Sequence, residues 1–529
     1  MRKTLRQEGL IDQRAIEKLT ITIVDDGECH DIREEAMLIA DQLGISDSQF
    51  SPNKENSDFV VFLGESKPPQ DFRIPYCRIQ LLDDGFRVTD RIDSEGGEPS
   101  SLQRPGLRTI ACSVAWQEVI RRTGVILPVE IPKKYLDICL RIDPKSAPYG
   151  EDLGDFMEII QTDSSSIPFQ VIPRKEDGRG HFLLKFRAEE GTELADNIFS
   201  KLQICWKQEN PQEPCHTELR LPRVEGPVSG LATFPGIGGL GSWALNTIVG
   251  GLRETDSSGD GITLNLIDPD TEIEQHNLNR QVLYSEVDIG KEKATVAARV
   301  LSEKLPSAEI HSHVGSVGLP HLFELDFLND VQPLDFEEDD DDIFSMQEGP
   351  NSDPCSMISN SDILICGVDN LRDRSILNAI SSRLKIPMVN AGAQGFSGQF
   401  DLFMPEESCM LCRYGVSAVN ETIRMSCQED GEVPFSSIVT STAIFGALEG
   451  LALLTLLSGG CEQLSEWPTH ISWNGRTNSF QSMSDRGLFA NSFSDEGPHC
   501  VHLYSRLTSS GKVTSDPERD QQRTYNSER

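Results

Sequence analysis

The run Gly236-Ile-Gly-Gly-Leu-Gly241 constrains this chain more than any other feature. It sits between an apolar stretch and a helix-like segment at 242–249, and residues 261–267 then read as a second strand ending at Asp268. Glycines placed this way let backbone amides approach a phosphate at a helix N-terminus, and an acid ending the second strand is set for ribose hydroxyls. The expectation is an α/β nucleotide-binding unit in which Gly236, Gly238, Gly239, Gly241 and Asp268 meet the ligand. A nicotinamide or flavin enzyme would be served by the same two features, so the residues that follow must decide.

At 529 residues the chain exceeds what one hydrophobic core organises. Apolar strands at 19–24 and 58–64, with helical spacing at 32–43 and 113–122, predict a first α/β unit over residues 1–128. Residues 129–225 read as a connecting region with strands at 182–186, 202–206 and 218–221, and carry no recognisable chemistry. A second α/β unit spans 226–503. It is interrupted at 325–358 by an inserted loop containing Phe336-Glu-Glu-Asp-Asp-Asp-Asp342. Residues 504–529 are polar and expected to be a disordered tail. The most apolar run, 444–457, reads as a buried helix, too short to span a bilayer and interrupted by Glu449.

Acidic side chains outnumber basic ones 84 to 48, a net charge of −36. Such a surface repels polyphosphate backbones and anionic lipid, which argues against nucleic acid and membrane as partners and for a basic partner surface. The N-terminus lacks the apolar core of a secretory signal, so a cytoplasmic location is expected. Thirteen cysteines in so long a chain suit metal binding or thiol chemistry better than a disulfide scaffold.

The deciding residues come in order: Asp268-Pro-Asp270, His276-Asn-Leu-Asn-Arg-Gln281, Gly290-Lys-Glu-Lys293, then Asp369-Asn-Leu-Arg-Asp-Arg374 after an apolar strand, with Asn378 one helical turn on. Over about residues 236–457 this pattern resembles the adenylyltransferase family that includes ubiquitin-activating enzymes and the ThiF-like enzymes of thiamine and molybdopterin synthesis. The resemblance implies a Rossmann-like adenylation domain using ATP and Mg²⁺. It places Arg280 and Lys293 on the phosphates, Asp369 at Mg²⁺ and Asp268 on the ribose. Asp270, Asn277, Gln281, Asn370, Arg374 and Asn378 would shape the same pocket.

Cys409-Met-Leu-Cys412 has zinc-ligand spacing. The family closes a structural zinc with a second cysteine pair, and this chain departs there, offering His499, Cys500 and His502 instead. Similarity also places Cys427 where an activating enzyme takes the acyl group as a thioester. The first unit resembles a degenerate, inactive copy: Asp25-Asp-Gly-Glu-Cys-His30 stands where the glycines would be, and acids there repel phosphate. Arg6 precedes it much as an arginine does in relatives whose arginine reaches the neighbouring unit's ATP. The expectation is an activating enzyme like those of bacterial ubiquitin-like conjugation operons. Its partners would be a ubiquitin-like protein and a conjugating enzyme, and pairing with a second copy is open. The rivals are a sulfur-carrier-protein adenylyltransferase and a non-catalytic ATP-binding scaffold.

Overall fold

A computed structural model describes, with short breaks, residues 7–126, 215–317, 354–414 and 437–484, together with strands between 129 and 187. The first unit opens with the one-turn helix α1 (Gln13–Ile16), then β1 (Ile21–Val24), α2 (His30–Leu43) and β2 (Phe59–Leu63). It continues through β3 (Tyr76–Leu82), β4 (Gly85–Thr89) and α3 (Arg104–Arg122). The apolar runs of β1 and β2 pair in parallel, as strands covered on both faces do, and β3 joins β2 in the same sense. α2 stops at Gly44, whose φ of 85° is the left-handed end that glycine adopts without strain.

Helix α3 starts nine residues before the expected 113, because its first turns carry Arg104 and Arg108, which hide the apolar period. Both arginines reach Asp31 in the first turn of α2, at 2.9 and 3.0 Å. Four strands follow, β5 (Val129–Glu130), β6 (Asp137–Ile142), β7 (Gln170–Glu176) and β8 (Arg179–Arg187), forming an antiparallel sheet in the order β5-β6-β8-β7. The strand expected at 182–186 lies within β8; that at 202–206 falls outside the described residues. β9 (His216–Arg220) pairs antiparallel with β4, so the first sheet, β1-β2-β3-β4-β9, draws on chain from both sides of the β5–β8 insertion.

In the second unit come β10 (Gly230–Pro235), α4 (Gly239–Glu254), β11 (Ile262–Asp268), α5 (Lys293–Lys304) and β12 (Glu309–Val314). After them lie α6 (Pro354–Ser359), β13 (Ile363–Cys366), α7 (Leu371–Leu384), β14 (Met388–Gln394) and β15 (Ser397–Phe403). α8 (Val439–Leu464), β16 (His470–Asn474) and β17 (Ser479–Met483) complete it. Strands β12-β11-β10-β13-β14 are parallel, the 3-2-1-4-5 arrangement of a Rossmann-like sheet, and β15 to β17 extend it antiparallel. The expected acidic loop at 325–358 is corrected at its end, since α6 is helical from Pro354 and its Cys355 is buried; 336–342 lies outside the described residues, as does the 504–529 tail.

One apolar core runs through both units, centred on α3, α4 and α8. α8 holds an 18-residue stretch long and apolar enough to cross a membrane, yet 78% of that stretch is buried within the protein. It outruns the expected 444–457 because the hydroxyl-bearing residues at its start are also helical and because a second short helical piece follows a kink at Gly460, where φ is 70°. Its backbone lies so close to α4 that a Cβ on Gly446 would stand 2.5 Å from the Leu240 carbonyl oxygen. A helix apolar on every side is one enclosed by protein.

Candidate nucleotide site

The site forms where β10 ends. Gly236 turns the chain with φ of 93°, its N–H donating to the Ile267 carbonyl on β11 at 2.7 Å. The Ile237 N–H donates to Asp268 Oδ2 at 2.6 Å, and the Tyr284 hydroxyl to the Ile237 carbonyl at 3.0 Å. Asp268 Oδ1 accepts from the Asp270 N–H at 2.9 Å. Both carboxylate oxygens therefore brace backbone. Burial pushes the Asp268 carboxyl up from its ordinary range, while Lys293 and the two N–H donors oppose that shift.

Helix α4 starts immediately after this turn, with Gly238 as its N-cap. A Cβ on Gly238 would meet no heavy atom within 4 Å, so the loop faces open space at the positive end of a 16-residue helix. Gly241 has the opposite surroundings. A Cβ there would stand 2.6 Å from the Gly236 carbonyl oxygen, so the turn closes only around glycine.

Two cations flank the loop. Arg280 is 9% exposed, and its Nη1 donates to the His276 carbonyl and to Asn279 Oδ1, both at 3.1 Å; its Cγ lies 3.5 Å from where a Gly239 Cβ would be. Lys293, the first residue of α5, is ion-paired to Asp270 and buried. Asn277 Oδ1 accepts from the Glu274 N–H at 2.9 Å, shaping the turn that presents Arg280. Gln281 Oε1 and Asn279 Nδ2 are buried with no hydrogen-bond partner among the described residues. Unmet polar atoms are costly inside a protein: the Asn279 amide N–H suits a phosphate oxygen, whereas the Gln281 oxygen, an acceptor, suits a donor such as a ligand hydroxyl. ATP fits this donor set.

Gly367, at the end of β13, packs its backbone on Gly236: a Cβ at Gly236 would stand 2.5 Å from the Gly367 carbonyl carbon. Two residues on, Asp369 is exposed, and Asn370 caps α7 by accepting from the Asp373 N–H at 2.8 Å. Gly367 and Asn279 were not singled out in the sequence. A glycine closing an apolar strand directly before an acid was the available signal for the first; an amide beside Arg280 was that for the second.

Other expected residues sit elsewhere. Asn378 is fully buried on α7 and accepts from the Met410 N–H at 2.9 Å, so it anchors the Cys409–Cys412 turn rather than the pocket. Arg374 donates to Asn390 Oδ1 at 2.9 Å and to the Ala391 carbonyl at 2.6 Å, on β14. The Cys409 and Cys412 sulfurs are 3.7 Å apart and buried, with no group of three metal-ligating side chains among the described residues. Arg6, Cys427, His499, Cys500 and His502 lie outside the described residues.

Comparison with known proteins bears on the second unit. The ThiF family model matches residues 234–490. The sulfur carrier protein ThiS adenylyltransferase of Escherichia coli K12 is 26% identical over 226 residues, 42% of this chain and 70% of that protein. The Nedd8-activating enzyme E1 catalytic subunit of Drosophila melanogaster is 26% identical over 191 residues, 34% of this chain but 33% of that subunit. The adenylyltransferase and sulfurtransferase MOCS3-1 of Drosophila pseudoobscura is 28% identical over 228 residues, 42% of this chain and 40% of its own length. The crystal structure of E. coli MccB with ATP aligns at a TM-score of 0.35 and 20% identity, over 51% of this chain and 66% of that one. Residues 234–490 of this chain thus carry a ThiF family domain.

Proposed function

We propose that the chain is an ATP-dependent adenylyltransferase that activates the C-terminal carboxylate of a ubiquitin-like protein in the cytoplasm. The observation that carries the reading is the bare glycine loop flanked by Arg280 and Lys293, with the buried, unmet amide donor of Asn279 next to Arg280. A carboxylate resists nucleophiles because its leaving group would be oxide. Joining it to AMP, with pyrophosphate expelled, supplies a good leaving group, and positive charge must face the departing phosphates. The loop amides at the start of α4, with Arg280 and Lys293, would supply that charge. Asp270 holds the Lys293 ammonium in place, and Asp268 braces the loop and would meet the ribose. Asp369 would hold Mg²⁺, which screens polyphosphate charge.

Cys427 would then attack the acyl carbon as a thiolate, expelling AMP and leaving a thioester to be passed to a conjugating enzyme. A zinc held by Cys409 and Cys412 with two of His499, Cys500 and His502 would close the region. Tetrahedral zinc with Zn–S of about 2.3 Å sets two sulfurs about 3.8 Å apart, and the observed 3.7 Å accords with that edge.

The first unit is read as the inactive copy. The strand order and senses of β1-β2-β3-β4-β9 repeat those of β10-β13-β14-β15-β16, and counterparts of β11, β12 and α5, where Asp268 and Lys293 reside, are absent among its described residues. Asp25 Oδ1 accepts from the N–H groups of Gly27 and Cys29, at 2.9 and 3.2 Å, taking up donors that a phosphate would need. Arg6 is assigned to the neighbouring ATP.

The test is pyrophosphate exchange into ATP by the purified chain with candidate small proteins that end in an exposed glycine. Exchange should appear only with the carboxylate partner. Mg-ATP binding without exchange for any ubiquitin-like or sulfur-carrier protein would instead support a scaffold. Release of a carrier thiocarboxylate when a sulfur donor is supplied would favour the sulfur-transfer alternative, which the match across 70% of the ThiS adenylyltransferase keeps open.

A further inference from the structure

Gln117, on α3 of the first unit, has no exposed surface. Its Nε2 donates to the Gly475 carbonyl, in the turn between β16 and β17, at 2.9 Å. Its Oε1 accepts from the Thr440 hydroxyl, also at 2.9 Å. Thr440 lies in the first turn of α8, whose N-cap, Ile438, has no side chain able to cap it. The next hydroxyl, Ser441, donates to the Gly395 carbonyl in the β14–β15 turn at 3.1 Å. Thr442 follows, and its methyl carbon lies 3.2 Å from where a Cβ on Gly239 would stand. From Gln117 to the glycine loop the path is one hydrogen bond, part of a helical turn and the Thr442 methyl, which occupies the space that a side chain on Gly239 would need.

An amide fully buried between two units must satisfy both of its ends or lose stability, and Gln117 does so only when the α8 first turn and the Gly475 turn hold their observed places. We infer that Gln117 is a positioning residue for the nucleotide site: through Thr440 it sets the first turn of α8 against the glycine loop. The first unit thereby acts on a site whose described phosphate-facing residues belong to the second. The ligand readout below rests on the nucleotide reading; the exchange readout does not.

Thr440→Val removes the hydroxyl at nearly constant shape, Thr440→Ser keeps it, and Gln117→Leu removes both bonds. Two measurements apply: the Kd for Mg-ATP by calorimetry, and hydrogen–deuterium exchange at 236–241 and 439–442 without nucleotide. Thr440→Val and Gln117→Leu should each raise Kd about threefold to tenfold, the worth of one ordinary hydrogen bond. The double variant should be no weaker than the worse single one, and Thr440→Ser should stay within about twofold of wild type. Protection should fall at both segments and persist in the middle of α8. A Thr440→Val protein with unchanged Kd and unchanged protection at 236–241 overturns the inference, as do additive losses. If wild type binds no Mg-ATP, the nucleotide reading fails by itself, and protection at 236–241 alone then decides the coupling. Should Gln117→Leu not fold, Thr440→Val against Thr440→Ser carries the same decision.

Discussion

Gly236 and Gly238 stand two residues apart and should fail in different ways when given a methyl group. At Gly236, alanine must adopt φ near 93°, and its Cβ would press on the backbone of Gly367 and Val368 at 2.5 to 2.8 Å. The left-handed conformation costs about 1–2 kcal/mol and forced overlap with unyielding backbone about 1–3 kcal/mol, so about 2–5 kcal/mol in all. That is a large part of ordinary stability and corresponds to a melting-temperature loss of about 5–15 °C. At Gly238, φ is −77° and a Cβ meets nothing within 4 Å. Exchanging one N-cap residue for alanine there costs no more than about 1 kcal/mol. The methyl would nevertheless stand where a phosphate approaches the amides. Losing one charge-assisted hydrogen bond, about 1.5–3 kcal/mol, weakens binding about ten- to a hundredfold. Thermal melting and Mg-ATP calorimetry on both variants separate the two effects. Gly238→Ala that stays folded and binds ATP within about twofold of wild type would refute the phosphate cradle. Gly236→Ala that melts with wild type would refute the packing argument.

Cys427→Ala should retain pyrophosphate exchange and lose the thiol-cleavable adduct with the carrier; an adduct that persists points to another cysteine, though not to buried Cys355. Purified protein should contain about one zinc per chain, lost in Cys409→Ser, and metal-free protein of full stability would end that assignment. Glu449 is fully buried on α8, with Oε1 accepting from the Ala391 N–H at 3.1 Å and Oε2 without a hydrogen-bond partner among the described residues. Burial pushes its carboxyl well up, against the opposing charge of Arg374, so the folded chain keeps a proton that the unfolded chain loses near the usual carboxylate pKa. Stability from this group is therefore greatest below that pKa and declines as pH rises toward the folded value. Glu449→Gln should melt higher at pH 8 than wild type and show a flatter dependence on pH, and a lower melting temperature at pH 8 would contradict this.

Much of the second unit was legible because its chemistry is local. A glycine loop, an acid at a strand end and a basic residue opening a helix each declare themselves within a few residues, and β11 ends at Asp268 as expected. Helix spans were less legible where polar residues serve a distant partner, as Arg104 and Arg108 do in α3. Asn378 is expected in the pocket by resemblance to the family, one turn beyond Arg374, but its amide oxygen accepts from the Met410 N–H. Spacing on a helix says which residues share a face and nothing about what lies opposite.

By itself the sequence determined that the chain builds two α/β units, that one carries a nucleotide loop, and which residue types surround it, because these depend on short-range pattern and backbone sterics. Only the tertiary structure decided that β9 returns across the insertion to finish the first sheet, that α8 is shared between the units, and that Gln117 meets Thr440, 323 residues away. Those outcomes rest on burying apolar faces against partners distant in the chain and on satisfying each polar group trapped between them. A linear pattern specifies the need for such partners; close packing selects which ones are met.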